Sequence, residues 1–233
     1  DPTTAGSYTF TAVLGDIPAG YVNAGGLTAT AEVIITGILT EGKYNIKVIA
    51  LNEDDGETSS VTALLAEDAI IKVDEGKVTA LLRFNRGTID GADTYGSNVT
   101  AVTTEVNGET ITGTKLSSNT NDFSSTYKIT VNDISDLTKV TATIKILGVS
   151  TNKIFRLKFE NPSAFSQGPV EIPDQNLHNA ICALLGEDPA QYILQKEDME
   201  WLRGYLSLVN KGIQDLTGLR HAVNVTRLNL NNN

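Results

Sequence analysis

The period of the hydrophobic pattern changes once along this chain, and the change limits what each part can become. From Ser7 to about Phe159 apolar and polar residues alternate in short runs, as in Tyr8-Thr-Phe-Thr-Ala-Val13, Tyr44-Asn-Ile-Lys-Val48, Val78-Thr-Ala-Leu-Leu-Arg-Phe84, Tyr127-Lys-Ile-Thr-Val131 and Val140-Thr-Ala-Thr-Ile-Lys-Ile146. A period of two sends successive side chains to opposite faces, which suits half-buried strands and not helices. Glu41-Gly42, Asp54-Asp-Gly56, Asp74-Glu-Gly76 and Asn107-Gly108 punctuate the runs with turn chemistry, and Asn107-Gly108 is the clearest hairpin turn. Short strands at this spacing predict an all-β sandwich.

At Asn161-Pro-Ser-Ala-Phe-Ser-Gln-Gly-Pro169 the alternation stops, and the breaker-rich composition of residues 161–170 reads as a linker. Beyond it Asp174 is placed as an N-cap, Leu177, Ile181, Leu184 and Leu185 recur at helical spacing, and Gly186 supplies a stop. Residues 196–203 form a second short helix in this reading, with Met199 and Leu202 inward. Leu206, Leu208 and Ile213 then set a frame that Leu228 and Leu230 restate 22 residues later, with Val225 and Asn233 in register. That period and frame are the leucine-rich-repeat signature, in which strand leucines stack inside a solenoid and an asparagine ties down the bending backbone. One such turn cannot bury its own face, so the pattern is expected to be a fragment of a longer array. The expected organisation is a β segment at 1–40, a sandwich at 41–160, the linker, a helical cap at 171–205 and the start of repeats at 206–233. Residues 1–40 either add strands to the sandwich or end a preceding module.

Composition narrows the function. Lys and Arg number 18 against 28 Asp and Glu, a formal charge of −10, so the surface lacks the basic footprint of a nucleic-acid binder. The single cysteine, Cys182, excludes an intrachain disulfide, and two histidines, His178 and His221, leave little for a His/Cys metal site. No apolar run approaches the roughly 18 residues needed to cross a bilayer as a helix. The first residues lack the basic and apolar regions of a signal peptide, as in a mature or trimmed chain.

Two stretches resemble known families. Pro173-Asp-Gln-Asn-Leu-His-Asn-Ala-Ile and the segment from Asn210 to Asn233 resemble the cap and first repeat of internalin-like bacterial leucine-rich-repeat proteins. That resemblance implies an exported, cell-surface protein that binds protein partners on its strand face. Gly42-Lys-Tyr-Asn-Ile-Lys-Val-Ile-Ala-Leu, the segment 57–77, Asp136-Leu-Thr-Lys-Val-Thr-Ala-Thr-Ile-Lys-Ile and Phe155-Arg-Leu-Lys-Phe159 look like a NEAT (near iron transporter) domain. The second resemblance implies an immunoglobulin-like sandwich, with haem held in many members between a short helix, here 59–65, and a late hairpin. The family's Y-x-x-x-Y motif, whose first Tyr is the haem ligand, falls on Thr151 and Phe155, and no Tyr lies between Tyr127 and Tyr192. Haem in the familiar manner is therefore disfavoured and no cofactor is the first expectation; the alternative is haem or another small ligand bound in the NEAT-like domain without the usual tyrosine.

Signatures of catalysis such as H-E-x-x-H, G-x-S-x-G or a P-loop are missing. Cys182 and His178 lie one helical turn apart, where packing explains them, and Asn52-Glu-Asp-Asp-Gly-Glu57 lacks the spacing of a calcium loop. The fold class expected is a mainly β NEAT-like sandwich with a small helical cap leading into a leucine-rich-repeat solenoid. The function expected is non-catalytic binding of a protein or cell-envelope ligand outside a Gram-positive cell. Candidate ligand contacts are Ser59, Leu64, Tyr95 and Phe155; candidate partner contacts are Arg227, Asn229 and Asn231, which alternate outward between inward leucines.

Overall fold

The structure, a computed structural model, describes the backbone of residues 6–13 and 28–35 and, in full, residues 39–233. The chain divides into two units, Asp1–Leu39 and Thr40–Asn233. In the first, β1 (Gly6–Val13) and β2 (Thr28–Ile35) form an antiparallel pair with Gly6 opposite Ile35.

In the second unit the alternating runs form β3 (Gly42–Leu51), β4 (Asp68–Asp74), β5 (Lys77–Phe84), β6 (Gly87–Ile89), β7 (Ala92–Thr94), β8 (Val99–Val106), β9 (Glu109–Thr112), β10 (Thr114–Asn119), β11 (Ser124–Val131), β12 (Thr138–Ile146) and β13 (Val149–Ala164). All but the small β6–β7 hairpin join one antiparallel sheet in the order β10-β11-β5-β4-β3-β13-β12-β8-β9. The sheet folds over on itself. Near its two ends the Thr104 hydroxyl donates to the Thr130 carbonyl at 2.7 Å, and the Tyr127 hydroxyl to the Val99 carbonyl at 2.8 Å. Phe84, Tyr127, Phe155, Ile129, Ile144 and Leu157 fill the space between the layers, with the Phe84 and Tyr127 rings edge to face at 6.0 Å. The result is a mainly β sandwich with few helices.

Several hairpins turn on two consecutive residues of positive φ, the geometry that matches strand twist. Asn107-Gly108 (φ 52 and 82) does so with the residues that favour it. Leu147-Gly148 (φ 50 and 85) puts a leucine in the left-handed region, 88% exposed, between β12 and β13. A side chain with a Cβ there costs about 1–2 kcal/mol, less for asparagine. Leu147→Asn should raise stability by about 1 kcal/mol; an unchanged or lower urea midpoint would contradict this account of the turn.

The expected linker at 161–170 is corrected by the structure. β13 runs on to Ala164, pairing Ser163 with Asn45 and Ala164 with Tyr44 across a bulge that follows Glu160. The bulge absorbs both breakers: Asn161 takes φ 54, and Pro162, which has no N–H, needs no ladder partner there. The chain then enters the cap under continuous restraint. The Phe165 N–H donates to the Lys43 carbonyl at 2.9 Å, and the Ser166 and Gln167 N–H groups to the Glu197 carboxylate at 2.6 and 2.8 Å.

The cap comprises α1 (Gln175–Leu185) and α2 (Lys196–Trp201). Asp174 accepts the Leu177 N–H at 2.9 Å, and Gly186 ends α1 in the left-handed conformation, φ 67. α2 is capped reciprocally by Gln195 and Asp198 and stops at Trp201, short of the expected 203. Leu177, Ile181, Leu185, Met199, Trp201 and Leu206 share one apolar cluster with Ile70 of β4 and Leu81 of β5. The cap therefore completes its core on the outer face of the sandwich.

Polar contacts lock the same junction. Lys43 of β3, 8% exposed, lies 2.9 Å from Asp198 and 3.1 Å from Glu187, and stands over the Tyr192 ring at 4.2 Å. Lys72 pairs with Glu187 at 3.1 Å, Arg203 pairs with Asp68, and the Lys128 ammonium donates to the Gly186 carbonyl at the end of α1 at 2.7 Å.

β14 (Arg203–Ser207) and β15 (Asn224–Asn229) end the described chain as a parallel pair, Leu206 opposite Leu228 and Ser207 opposite Asn229. The Asn233 side chain accepts from the Lys211 and Ile213 N–H groups at 3.0 and 3.1 Å and donates to the Leu208 and Leu230 carbonyls, both at 2.7 Å. One amide thus satisfies four backbone groups on two successive turns of chain.

Candidate functional site

Two regions carry the candidate residues. At the first, Ser59 caps the 3₁₀ turn Ser60–Ala63, accepting the Val61 N–H at 3.4 Å, and is 6% exposed. The turn is pressed against β6: a Cβ on Gly87 would meet the Ala63 carbonyl oxygen at 2.1 Å. Leu64 and Phe155 are both 0% exposed. Both are core residues, which corrects their expected place as ligand contacts. Alternation along β13 turns Phe155 inward beside its partner Val140, while the Asn85 N–H donates to the Leu64 carbonyl at 2.7 Å and closes the turn over the sandwich.

Tyr95 is half-buried and stacked on Phe123 with centroids 4.5 Å apart, the Arg86 guanidinium 5.5 Å from its ring. Arg86 itself pairs with Asp93, and Lys153 of β13 pairs with Asp90 in the β6–β7 turn. With two of the four predicted residues in the interior and Ser59 occupied as a cap, they do not form one ligand surface.

The residues at the two positions where the family resemblance has its tyrosines do not fit a haem iron. Phe155 offers no donor atom, and Thr151 offers only a half-buried aliphatic hydroxyl, not the anionic phenolate oxygen that ferric haem accepts. Burial pushes the Tyr127 phenol up to about 12, so it stays protonated, and its hydroxyl is committed to Val99. Nor does Cys182 form a nucleophile. It lies 3.8 Å from the nearer His178 ring nitrogen, but burial, with help from Asp198 and Glu187, pushes its thiol up to about 11, far from the thiolate that would react.

The second region is the solvent face of the β14–β15 pair. The Arg227 guanidinium lies 5.4 Å from the Tyr205 ring and donates to the Asn121 carbonyl at 2.7 Å. The Asn229 amide donates to the Tyr205 hydroxyl at 2.7 Å, and its oxygen accepts the Asn231 N–H at 3.1 Å. Arg227 and Asn229 are thus brought together around Tyr205, with exposed Asn231 next along the chain. Tyr205 was not among the predicted contacts, although it precedes Leu206 as Arg227 precedes Leu228, and that equivalence marks it as outward-facing.

Asp122, in the β10–β11 turn, fastens this face to the sandwich. It accepts from Arg83 at 2.9 Å, the Tyr205 N–H at 2.9 Å and the Ser124 hydroxyl at 2.6 Å. Burial alone would raise its carboxyl, but these hydrogen bonds and the Arg83 charge outweigh it and hold the group below the usual carboxylate range. No sequence signal marked Asp122, because its partners lie 39 and 83 residues away.

No family model matches the sequence, and no curated protein matches it. Among solved structures the chain is similar to the NEAT5 domain of IsdX2, a B. anthracis hemophore in complex with haem, at 16% identity over 52% of this chain and 97% of that one, with a TM-score of 0.44. It is similar also to a point mutant of the same domain in complex with haem, at 17% identity over 52% and 97% of the two chains, with a TM-score of 0.45.

Proposed function

We propose that this chain is a non-catalytic, extracellular bacterial binding protein in which the sandwich and helical cap carry the first coil of a leucine-rich-repeat array, with the outward residues of β14 and β15 meeting a protein partner. The observation that carries the reading is the parallel pairing of strands 22 residues apart, tied by the four backbone bonds of Asn233. Such a coil can stack further coils while presenting Tyr205, Arg227 and Asn231 on one face. The loops of the sandwich, with Tyr95 on Phe123, add a second surface for a protein or cell-envelope ligand.

The test is biolayer interferometry of the chain against purified extracellular-matrix and serum proteins, with peptidoglycan and teichoic acid alongside. Saturable binding to a protein, weakened at least tenfold by Arg227→Glu with Asn231→Glu, is expected. Binding only to the envelope polymers, or binding indifferent to those substitutions, counts against the strand face. Titration with haemin is expected to leave the Soret band of free haemin without a saturable shift; a stoichiometric shift would overturn the non-haem reading.

A further inference from the structure

We propose that the cleft between the β10–β11 hairpin and β14 is a binding site for a neutral saccharide of one or two sugar units. This goes beyond the strand-face reading and does not depend on which partner that face takes. The cleft has a volume of about 360 Å³, near the lower end of the roughly 300–1,000 Å³ typical of small-ligand sites. One wall is Arg83 with the hydroxyl and amide residues of the hairpin, Ser117 to Asn121, Ser124 and Thr126; the other is Trp201 to Arg203, Tyr205 and Ser207.

Three features select the ligand. First, Thr126 is 3% exposed and lines the cleft, yet among the described residues its hydroxyl has no hydrogen-bond partner. Its neighbours Ser125 and Tyr127 spend their hydroxyls inward on Gly96 and Val99, so alternation aims Thr126 outward into the cleft. The Ser117 and Ser207 hydroxyls are likewise unpartnered among the described residues. These hydroxyls, with Ser117 half-buried and Ser207 exposed, are donors and acceptors open to water or a polar ligand.

Second, the cleft is polar without being charged. Arg83 is neutralised by Asp122 at 2.9 Å and Arg203 by Asp68, so neither cation is free for a carboxylate or phosphate, and the chain's formal charge of −10 repels both. The guanidinium N–H groups left over can still donate to neutral oxygens. Third, the half-buried Tyr205, with the edges of the nearly buried Trp201 and Leu202, adds apolar surface beside the hydroxyls, which matches a sugar's alternation of C–H and O–H groups.

The walls are fixed before any ligand arrives. Asp122 holds the Tyr205 N–H, the Asn119 amide donates to the Tyr205 carbonyl at 3.1 Å, and Arg227 reaches the Asn121 carbonyl at 2.7 Å. Preorganisation of this kind reduces the ordering cost of binding.

Trp201, 4% exposed at one wall, is the single tryptophan of the chain, so a ligand that alters that wall changes its fluorescence. The experiment titrates the chain with glucose, N-acetylglucosamine, maltose and cellobiose, and with glucuronic acid as the charged control. Saturable change with at least one neutral sugar is expected, weakened at least tenfold by Thr126→Val, whose shape matches the threonine, and also reduced by Ser207→Ala at the opposite wall, both with unchanged thermal melting. Saturation-transfer NMR of the same mixtures checks binding that leaves the indole silent. Absence of saturable binding by both readouts, tighter binding of glucuronic acid than of any neutral sugar, or affinity indifferent to both substitutions would overturn the proposal.

Discussion

Lys43→Met is expected to lower the stability of the 40–233 unit by about 3–5 kcal/mol, the usual effect of removing one partner of a buried ion pair. The substitution keeps most of the side-chain volume, so a cavity contributes little. What it removes is the ammonium 2.9 Å from Asp198, a carboxylate with 0% exposure whose other oxygen is shared by the Tyr192 hydroxyl and the Gln195 N–H. Glu187 keeps Lys72 at 3.1 Å, so Asp198 takes the larger part of the loss. Urea denaturation measures it; a deficit below about 1 kcal/mol would mean the pair behaves as a surface contact.

Phe155→Ala is the second large effect, expected at about 3–5 kcal/mol because the side chain is fully buried and the sheet on either side cannot collapse into the space. The family resemblance places a ligand-facing residue at this position, and a residue on the wall of an open site would cost far less to truncate. The two assignments therefore predict different denaturation midpoints. Both flanking strands of β13 remain hydrogen-bonded in the variant, so the slope of the unfolding transition should hold while the midpoint falls.

Much of the architecture is readable from local pattern because local pattern causes it. Alternation forces the strands of the sandwich, Asn107-Gly108 forces its hairpin, Asp174 and Gly186 bracket α1, and the spacing of Leu206 and Leu228 foreshadows the parallel pair. The bulge at Asn161 and Pro162 was not readable, since a loop and a bulge use the same breakers and only the pairing of β13 with β3 distinguishes them. One signal went unused. Ala69-Ile70-Ile71 and Leu81-Leu82 break the alternation with consecutive apolar residues, the mark of strands covered on both faces, and the cap is what covers the second face. Lys43 and Asp198 lie 155 residues apart, and no local rule connects them. The candidate contacts divide the same way: Arg227 is exposed as alternation predicts, although Asn229 is half-buried and Leu228, expected inward, is 44% exposed, whereas Leu64 and Phe155 come from a resemblance that does not say which way this chain's side chains turn.

The length of β13 bears on mechanics. It leaves the sandwich from the middle of the sheet, bonded to β12 on one side and β3 on the other, and leads without slack into the cap. Its last pair, Ala164 with Tyr44, sits where the chain enters β3. Tension between the start of β3 and the end of β13 therefore peels that ladder open from this pair, one bond at a time, and the contacts of Lys43 with Glu187 and Asp198 lie where the peeling begins.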